Sequence, residues 1–309
     1  MTFFKTNHVS EIENIYEDTR RKISIDIKRE DKIHRHVSGN KFRKLKHNIK
    51  DLQSKGHNKL LTYGGAFSNH IAASAAAAKI CGIESIGVIR GQEIEEKLLK
   101  DINHNPTLAY AKTQGMQLHF TSRSAYAKKE TAEEILKLDK KFGPFYRIPE
   151  GGTNALAVKG CEEILNHNDE KYDIIACCVG TSGTIAGIIN ASKPHQNIYG
   201  FSALKNHQHL EIHQFTQKLN WRVYQDTRFG GYAKVDSELI EFINSFYKCT
   251  GVKLDPIYTG KMMFKLFEMI DGNYFSEGTK ILAIHSGGLQ GVKAFNDMLK
   301  SKNRTAIIF

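Results

Sequence analysis

Gly180-Thr181-Ser182-Gly183-Thr184 follows one unbroken apolar run, Ile174-Ile175-Ala176-Cys177-Cys178-Val179, and precedes another, Ile185-Ala186-Gly187-Ile188-Ile189. The first run reads as a parallel strand buried on both faces. The second, with its small residues, packs closely against a neighbour only as a helix. Strand, turn of small hydroxylated residues and helix start together make an anion cradle, because backbone N–H groups converge there and the helix dipole favours negative charge. A phosphate group is the natural guest. The stretch has no Gly-Lys-Ser/Thr and so is no nucleotide P-loop. A Gly-x-Ser-x-Gly nucleophile elbow needs glycine at position 184, where threonine stands. What remains is a site for a small phosphorylated cofactor or substrate.

The same strand–turn–helix grammar recurs along the chain. Residues 59–63 form a strand that leads into Gly64-Gly65-Ala66-Phe67-Ser68-Asn69-His70 and an alanine-rich helix from Ala72 to Lys79. Residues 85–89 form the next strand. Thr131-Ala132-Glu133-Glu134 is a capping box that opens a helix ending in lysines. Pro149-Glu150-Gly151-Gly152-Thr153-Asn154 is a second glycine-rich turn, with a helix expected from Ala155 to Leu165. Strands follow at 198–202 and 280–284, the latter leading to His285-Ser286-Gly287-Gly288, and a helix over 237–249 closes at Gly251. This alternation predicts an α/β protein of mostly parallel strands covered by helices. In such sheets ligands bind beyond the carboxyl ends of strands, where these turns would gather.

A chain of 309 residues makes one large domain or two moderate ones. No stretch approaches the roughly 18 apolar residues of a membrane span, and the first residues lack the apolar core of a signal peptide. Five cysteines form neither a disulfide framework nor a Cys-x-x-Cys pattern. Cytoplasmic residence with no membrane partner and no metal is the expectation. The formal charge of +11 raises nucleic-acid binding. The basic residues are scattered, however, and the clusters at 41–50 and 137–141 alternate with apolar positions as solvated helix faces do. No nucleic-acid partner is expected, and the positive balance would instead draw small anions to a cleft.

One lysine stands apart. Lys41 follows Gly39-Asn40 at the start of a helix-like stretch, where Arg43, Lys44 and the helix N-terminus all favour a neutral amine. A neutral lysine is a nucleophile able to form a Schiff base. Alone it would read as one more surface lysine; its company is what matters.

Gly39-Asn40-Lys41-x-Arg43-Lys44-Leu45, Gly64-Gly65-x-x-Ser68-Asn69-His70, Pro149-x-Gly151-Gly152-x-Asn154, Gly180-Thr181-Ser182-Gly183-Thr184, Tyr258-x-Gly260-Lys261 and His285-x-Gly287-Gly288 follow one another in that order. Over roughly residues 38–288 the chain thereby resembles the 1-aminocyclopropane-1-carboxylate deaminase / D-cysteine desulfhydrase family of pyridoxal-phosphate enzymes. The resemblance implies fold type II, that of the tryptophan synthase β-subunit: an α/β architecture of two domains with open, twisted, mostly parallel sheets. Residues 1–42 and 150–309 would form the large cofactor-binding domain and residues 43–149 a small inserted one. A homodimer and a small amino-acid substrate are further implications.

It also implies roles. Lys41 would carry pyridoxal 5'-phosphate as a Schiff base and later move substrate protons. Asn69 would bond the cofactor's phenolic oxygen, and Ser68, Asn69 and His70 would offer donors to the substrate carboxylate. Gly180, Thr181, Ser182, Gly183 and Thr184 would hold the phosphate. Tyr258 matches the active-site tyrosine, and Tyr232 would be a second pocket tyrosine. A structural reading stays open for both, since buried tyrosines with one satisfied hydroxyl are common. Thr259 and Ser286 fall where cyclopropane-opening members carry Glu and Leu and where D-cysteine desulfhydrases carry hydroxylated residues. A neutral hydroxyl beside the ring nitrogen supports a protonated ring less well than a carboxylate does. That suffices where sulfide, a good leaving group, departs. The expectation is αβ-elimination from D-cysteine to pyruvate, hydrogen sulfide and ammonia. Deamination of the cyclopropane to 2-oxobutanoate is the alternative, and a non-catalytic cofactor-binding regulator is the alternative of another class.

Overall fold

The computed structural model describes residues 3–4, 8–100, 105–202, 212–225, 228–231 and 233–309. The chain opens with two strands, β1 (Ile12–Asp18) and β2 (Ile23–Lys28), and helix α1 (Asn40–Ser54). Then come β3 (Lys59–Gly64), α2 (Asn69–Ile80), β4 (Glu84–Arg90), α3 (Glu93–Lys100), α4 (Pro106–Thr113), β5 (Gln117–Thr121), α5 (Arg123–Ala127), α6 (Ala132–Phe142) and β6 (Tyr146–Ile148). The remainder holds α7 (Ala155–Glu162), β7 (Ile174–Val179), α8 (Gly183–Ala191), β8 (Asn197–Ser202), β9 (Trp221–Gln225), α9 (Ser237–Thr250), α10 (Thr259–Asp271), β10 (Lys280–Ile284) and α11 (Val292–Ser301).

The strands form two sheets, in the order β1-β2-β10-β7-β8-β9 and β5-β4-β3-β6. Every pairing is parallel except that of β1 with β2. The apolar run of β7 is buried along its whole length, and its alternation shows why. Ile174, Ala176 and Cys178 join a core with α9, α10 and α11 on one face. Ile175, Cys177 and Val179 join another with α8 and Cys161 of α7 on the opposite face. A strand with no solvent face can afford no polar residue. In the second sheet Leu60 packs against α1 and α2, whereas Leu61 and Tyr63 face Leu138 of α6. The alanines of α2 are buried on nearly every side, because small residues let one helix lie between a sheet and two other helices.

The predicted stop at Gly251 is formed, and the capping box at Thr131 only by half, since the Thr131 N–H goes to the Lys128 carbonyl at 2.9 Å and the Glu134 carboxylate accepts from Lys137. Thr131 accepts a bond from the N–H of Glu134, and Gly251 ends α9 in the left-handed region at φ 72°. Helix α7 is shorter than expected, ending at Glu162 rather than Leu165. The antiparallel pair β1–β2 is legible only as weak alternation, since β1 is half-exposed throughout. One reading is corrected. The basic cluster at the start of α1 is no solvated face: Arg43, Lys44 and Lys46 are all buried, and Gly160 lets α7 approach so closely that a Cβ there would lie 2.0 Å from the Arg43 carbonyl oxygen. Among the described residues no helix is long and apolar enough to cross a membrane.

Candidate active site

The turns after β3, β6, β7 and β10 leave the carboxyl ends of parallel strands, and they converge around the first turn of α1. Gly39 precedes that turn with φ 62° and ψ −146°, a combination open almost only to glycine. A Cβ on it would lie 1.9 Å from the Ser286 carbonyl oxygen, which itself accepts the Asn40 N–H at 3.2 Å. The Asn40 amide donates to Thr184 Oγ1 at 2.8 Å. The residue before Lys41 is thus tied both to the β10 turn and to the β7 turn. Gly39→Ala is expected to cost about 1–3 kcal/mol in backbone strain alone and to part α1 from Ser286. Thermal unfolding together with cofactor retention checks this; an unchanged melting temperature with full retention would contradict it.

Lys41 Nζ and Lys44 Nζ both donate to the carbonyl oxygen of Gly151, each at 3.1 Å. Lys44 also reaches Thr153 Oγ1 at 3.0 Å and Thr181 Oγ1 at 3.2 Å. The residues lie three apart on α1 and so share a face. Burial, and after it the Lys44 ammonium, hold the Lys41 amine well below the ordinary lysine range. Burial lowers Lys44 to about 8. Arg43, expected to help keep Lys41 neutral, is turned the other way and grips Glu30 with two bonds of 2.9 Å.

His70 completes this basic cluster. Its Nε2 lies 2.8 Å from Thr62 Oγ1, whose own proton goes to the Ile148 carbonyl at 2.8 Å. Thr62 can therefore only accept, which puts the imidazole proton on Nε2 and leaves Nδ1 as a buried lone pair without a partner. Burial, then Lys41 and Lys44, push its pKa well down. The imidazole thus has no N–H for a substrate carboxylate. The donors on offer are the backbone N–H groups of Asn69 and His70, which open α2 and lack intrahelical acceptors. Ser68 caps that helix, accepting from the Ile71 N–H at 3.4 Å, and keeps its own proton for another partner.

The β7 turn has the geometry of an anion site. Ser182 sits in the left-handed region at φ 62° as the N-cap of α8, and the N–H groups of Thr184 and Ile185 lie in the unpaired first turn. A Cβ on Gly183 would come within 2.9 Å of Thr153 Oγ1 and 3.3 Å of Lys44 Nζ, so only glycine leaves this cradle open. The Thr184 hydroxyl accepts from Asn40 and, like that of Ser68, keeps its own proton. No carboxylate acts on Lys41, Lys44 or His70. Two buried amines beside a helix N-terminus with no acid among them fit a phosphate dianion.

Tyr258 lies over the other side of the cradle, 3.5 Å from where a Gly180 Cβ would stand. Thr259 is fully buried, donates its hydroxyl proton to Asp255 Oδ2 at 2.6 Å and accepts the Asp255 N–H at 2.9 Å. The Ser286 hydroxyl lies against Cys178, whose thiol is pushed well up by burial and then by Asp255. The structure therefore brings Lys41, the α2 N-terminus, the Gly180–Thr184 turn, Tyr258 and Ser286 together, whereas Thr259 is fully buried against Asp255. Tyr232 lies outside the described residues. Sequence reasoning missed Lys44 and Thr153 as site residues, although both stand inside a motif and Lys44 carries the signal of i, i+3 spacing from Lys41; Asp255, three residues ahead of Tyr258, was missed as the partner of Thr259.

A family model described as pyridoxal-phosphate dependent enzyme matches residues 9–287. The bifunctional D-cysteine desulfhydrase/1-aminocyclopropane-1-carboxylate deaminase of Arabidopsis thaliana, a mitochondrial protein, is 32% identical over 89% of this chain and 75% of its own length. The 1-aminocyclopropane-1-carboxylate deaminase of Rhizobium rhizogenes is 26% identical over 94% and 95%. A solved structure of a 1-aminocyclopropane-1-carboxylate deaminase homologue superposes with a TM-score of 0.79 at 26% identity, over 95% of this chain and 94% of that one.

Proposed function

The chain belongs to the pyridoxal-phosphate dependent enzymes, and from that premise we propose that it deaminates a small amino acid by αβ-elimination, with D-cysteine as substrate. The bound cofactor supplies an electron sink for the carbon next to the substrate amine. Lys41 would attach it, since an amine held well below its usual range is neutral, and so nucleophilic, over a wider span of pH than an ordinary lysine. Lys44, Thr181 and the first turn of α8 hold the phosphate. The N–H groups opening α2, with Ser68, take the substrate carboxylate; Asn69 bonds the cofactor's phenolic oxygen. Lys41 Nζ would accept the proton from the substrate's α-carbon. The Cβ–S bond breaks with its electron pair leaving on hydrosulfide, and the released enamine hydrolyses in water to pyruvate and ammonium. Tyr258, above the cradle, bounds the pocket on the substrate side.

The observation that carries this reading is the depressed amine of Lys41 set between the helix N-termini of α2 and α8. Its substrate is favoured by the hydroxyl side chains of Thr259 and Ser286. Incubation of purified holoenzyme with D-cysteine is expected to release pyruvate and sulfide in equal amounts, with L-cysteine as the control for stereochemistry. No product from either isomer would sink the proposal. A second reading, opening of 1-aminocyclopropane-1-carboxylate to 2-oxobutanoate and ammonia, gains support from one contact: Thr259 is bonded to a carboxylate, so that end of the cleft does not lack one. Efficient formation of 2-oxobutanoate would decide for it.

Lys44→Met tests the phosphate site. Loss of charge-assisted bonds worth about 1.5–3 kcal/mol predicts cofactor retention about 10- to 100-fold weaker. The same variant tests the burial of this lysine without cofactor. Its pKa is depressed in the folded state, so it contributes stability present above 10.5 and lost as pH falls through about 8. The melting temperature of cofactor-free protein should rise across that window relative to Lys44→Met. Equal slopes would show that the amine is not buried.

A further inference from the structure

We propose that His70 is a positioning residue for Lys41: its imidazole is the strut that sets the Gly151–Gly152 turn, and with it the carbonyl that holds the Lys41 amine. The proposal rests on the reading that Lys41 attaches the cofactor.

Gly151 and Gly152 are consecutive residues in the left-handed region, at φ 67° and 74°. Such a turn has no side chains of its own, so its place is set by what it rests on. On one side stands Thr181 of the phosphate cradle, its Oγ1 2.5 Å from where a Gly151 Cβ would lie. On the other stands His70, its Cε1 2.9 Å and its Nδ1 3.3 Å from where a Gly152 Cβ would lie. The ring fills the space that a side chain would need. Because Nδ1 has no hydrogen-bond partner, the ring meets the turn by shape alone.

The ring is itself held from behind. Nε2 donates to Thr62 Oγ1 at 2.8 Å, and the Thr62 proton goes to the carbonyl of Ile148 at 2.8 Å. Ile148 ends β6, the strand that feeds the turn. The strut therefore starts from the strand end and presses on the turn that follows it, with β3 supplying the hydroxyl between them. The carbonyl so placed matters unequally to the two lysines. Lys44 also has Thr153 and Thr181 as acceptors. The Lys41 amine has Gly151 O as its one hydrogen-bond acceptor among the described residues. A displaced turn thus frees Lys41 and leaves Lys44 anchored. His70 also stands in the first turn of α2, so the same ring spaces the carboxylate-binding N–H groups from Lys41.

A merely structural histidine would, when removed, weaken every binding event together. Two measurements on cofactor-free protein separate the cases: the rate at which pyridoxal phosphate becomes trapped on Lys41 by borohydride, and the affinity for inorganic phosphate. In His70→Ala trapping is expected to be about 10- to 100-fold slower, the cost of misplacing a reacting group by up to an ångström. The phosphate Kd should stay within about twofold, because Lys44 keeps its other acceptors. His70→Gln, whose amide N–H can reach Thr62, should recover most of the rate. Thr62→Val, which leaves Nε2 without its acceptor, should lose it. Trapping at the wild-type rate in His70→Ala overturns the proposal, as does a parallel loss of phosphate affinity. If His70→Ala does not fold, a wild-type rate in Thr62→Val overturns it equally. Failure of the unmodified protein to trap pyridoxal phosphate on Lys41 at all sinks the reading of the site itself, a result distinct from an unchanged rate in the variants.

Discussion

Replacing Lys41 by alanine is expected to lower elimination by about 10²–10⁴-fold through loss of proton transfer alone, and to abolish the borohydride-reducible absorption band. Both effects have one cause. The amine sits against Gly151 O at 3.1 Å, and among the described residues no other lysine stands in its place: Lys44 is tied to three acceptors on the phosphate side. Its reactivity has a pH signature. Burial, then Lys44, lowers the Lys41 pKa, so the neutral, nucleophilic form persists to lower pH than in an ordinary lysine and is lost as pH falls through the depressed value. The rate at which cofactor-free protein takes up pyridoxal phosphate should therefore hold its plateau well below the ordinary lysine range before it falls with pH. In Lys44→Met, where one cause of the depression is gone, the acid limb should move to higher pH at saturating cofactor. Lys41→Ala retaining a tenth or more of wild-type turnover would assign the chemistry to another group.

Arg43→Ala is expected to destabilise the fold by about 3–5 kcal/mol, the cost of stranding one member of a buried ion pair. Glu30 is fully buried and accepts Arg43 Nε and Nη2, both at 2.9 Å, together with the Ser10 hydroxyl at 2.6 Å. Without the guanidinium its carboxylate keeps one hydroxyl and no cation. The Arg43 Nη2 bond to the His8 carbonyl at 2.8 Å is lost as well. Consequences reach the site, because the Glu30 carbonyl holds the Gly39 N–H at 3.0 Å and Gly39 sets the entry of α1. Denaturant unfolding should give the large loss for Arg43→Ala and partial recovery for the apolar pair Glu30→Leu with Arg43→Met, since the penalty lies in the unpaired charge. A loss below about 1 kcal/mol would mean that the pair is solvated.

These two residues show how unevenly the site was legible. Lys41 was found because its motif neighbours have fixed chemistry. Arg43 and Lys44 were read as solvated, because local spacing says which residues share a helix face but not what covers that face. Here α7 covers it, admitted by Gly160. The central strands were legible because a strand with both faces buried has no polar position. β1 was not, since a half-exposed edge strand alternates only weakly, whereas β2 carries a period of two in Ile23, Ile25 and Ile27. His70 was legible as a residue of the cluster, but not which of its atoms can donate. Its tautomer depends on Thr62 and through it on the carbonyl of Ile148, 86 positions from Thr62 in the chain.

The sequence by itself determined the alternation of strands and helices, the glycine turns at the carboxyl ends of strands, the phosphate cradle at Gly180–Thr184 and the order of motifs around Lys41. All of these are local: they follow from side-chain size, backbone freedom and spacing within a few residues. Only the tertiary structure decided which amines are buried together, which nitrogen of His70 keeps its proton and where the Thr259 hydroxyl points. Protonation and hydrogen-bond direction depend on burial and on partners brought from distant turns, and those quantities exist only once the chain has closed around the cleft.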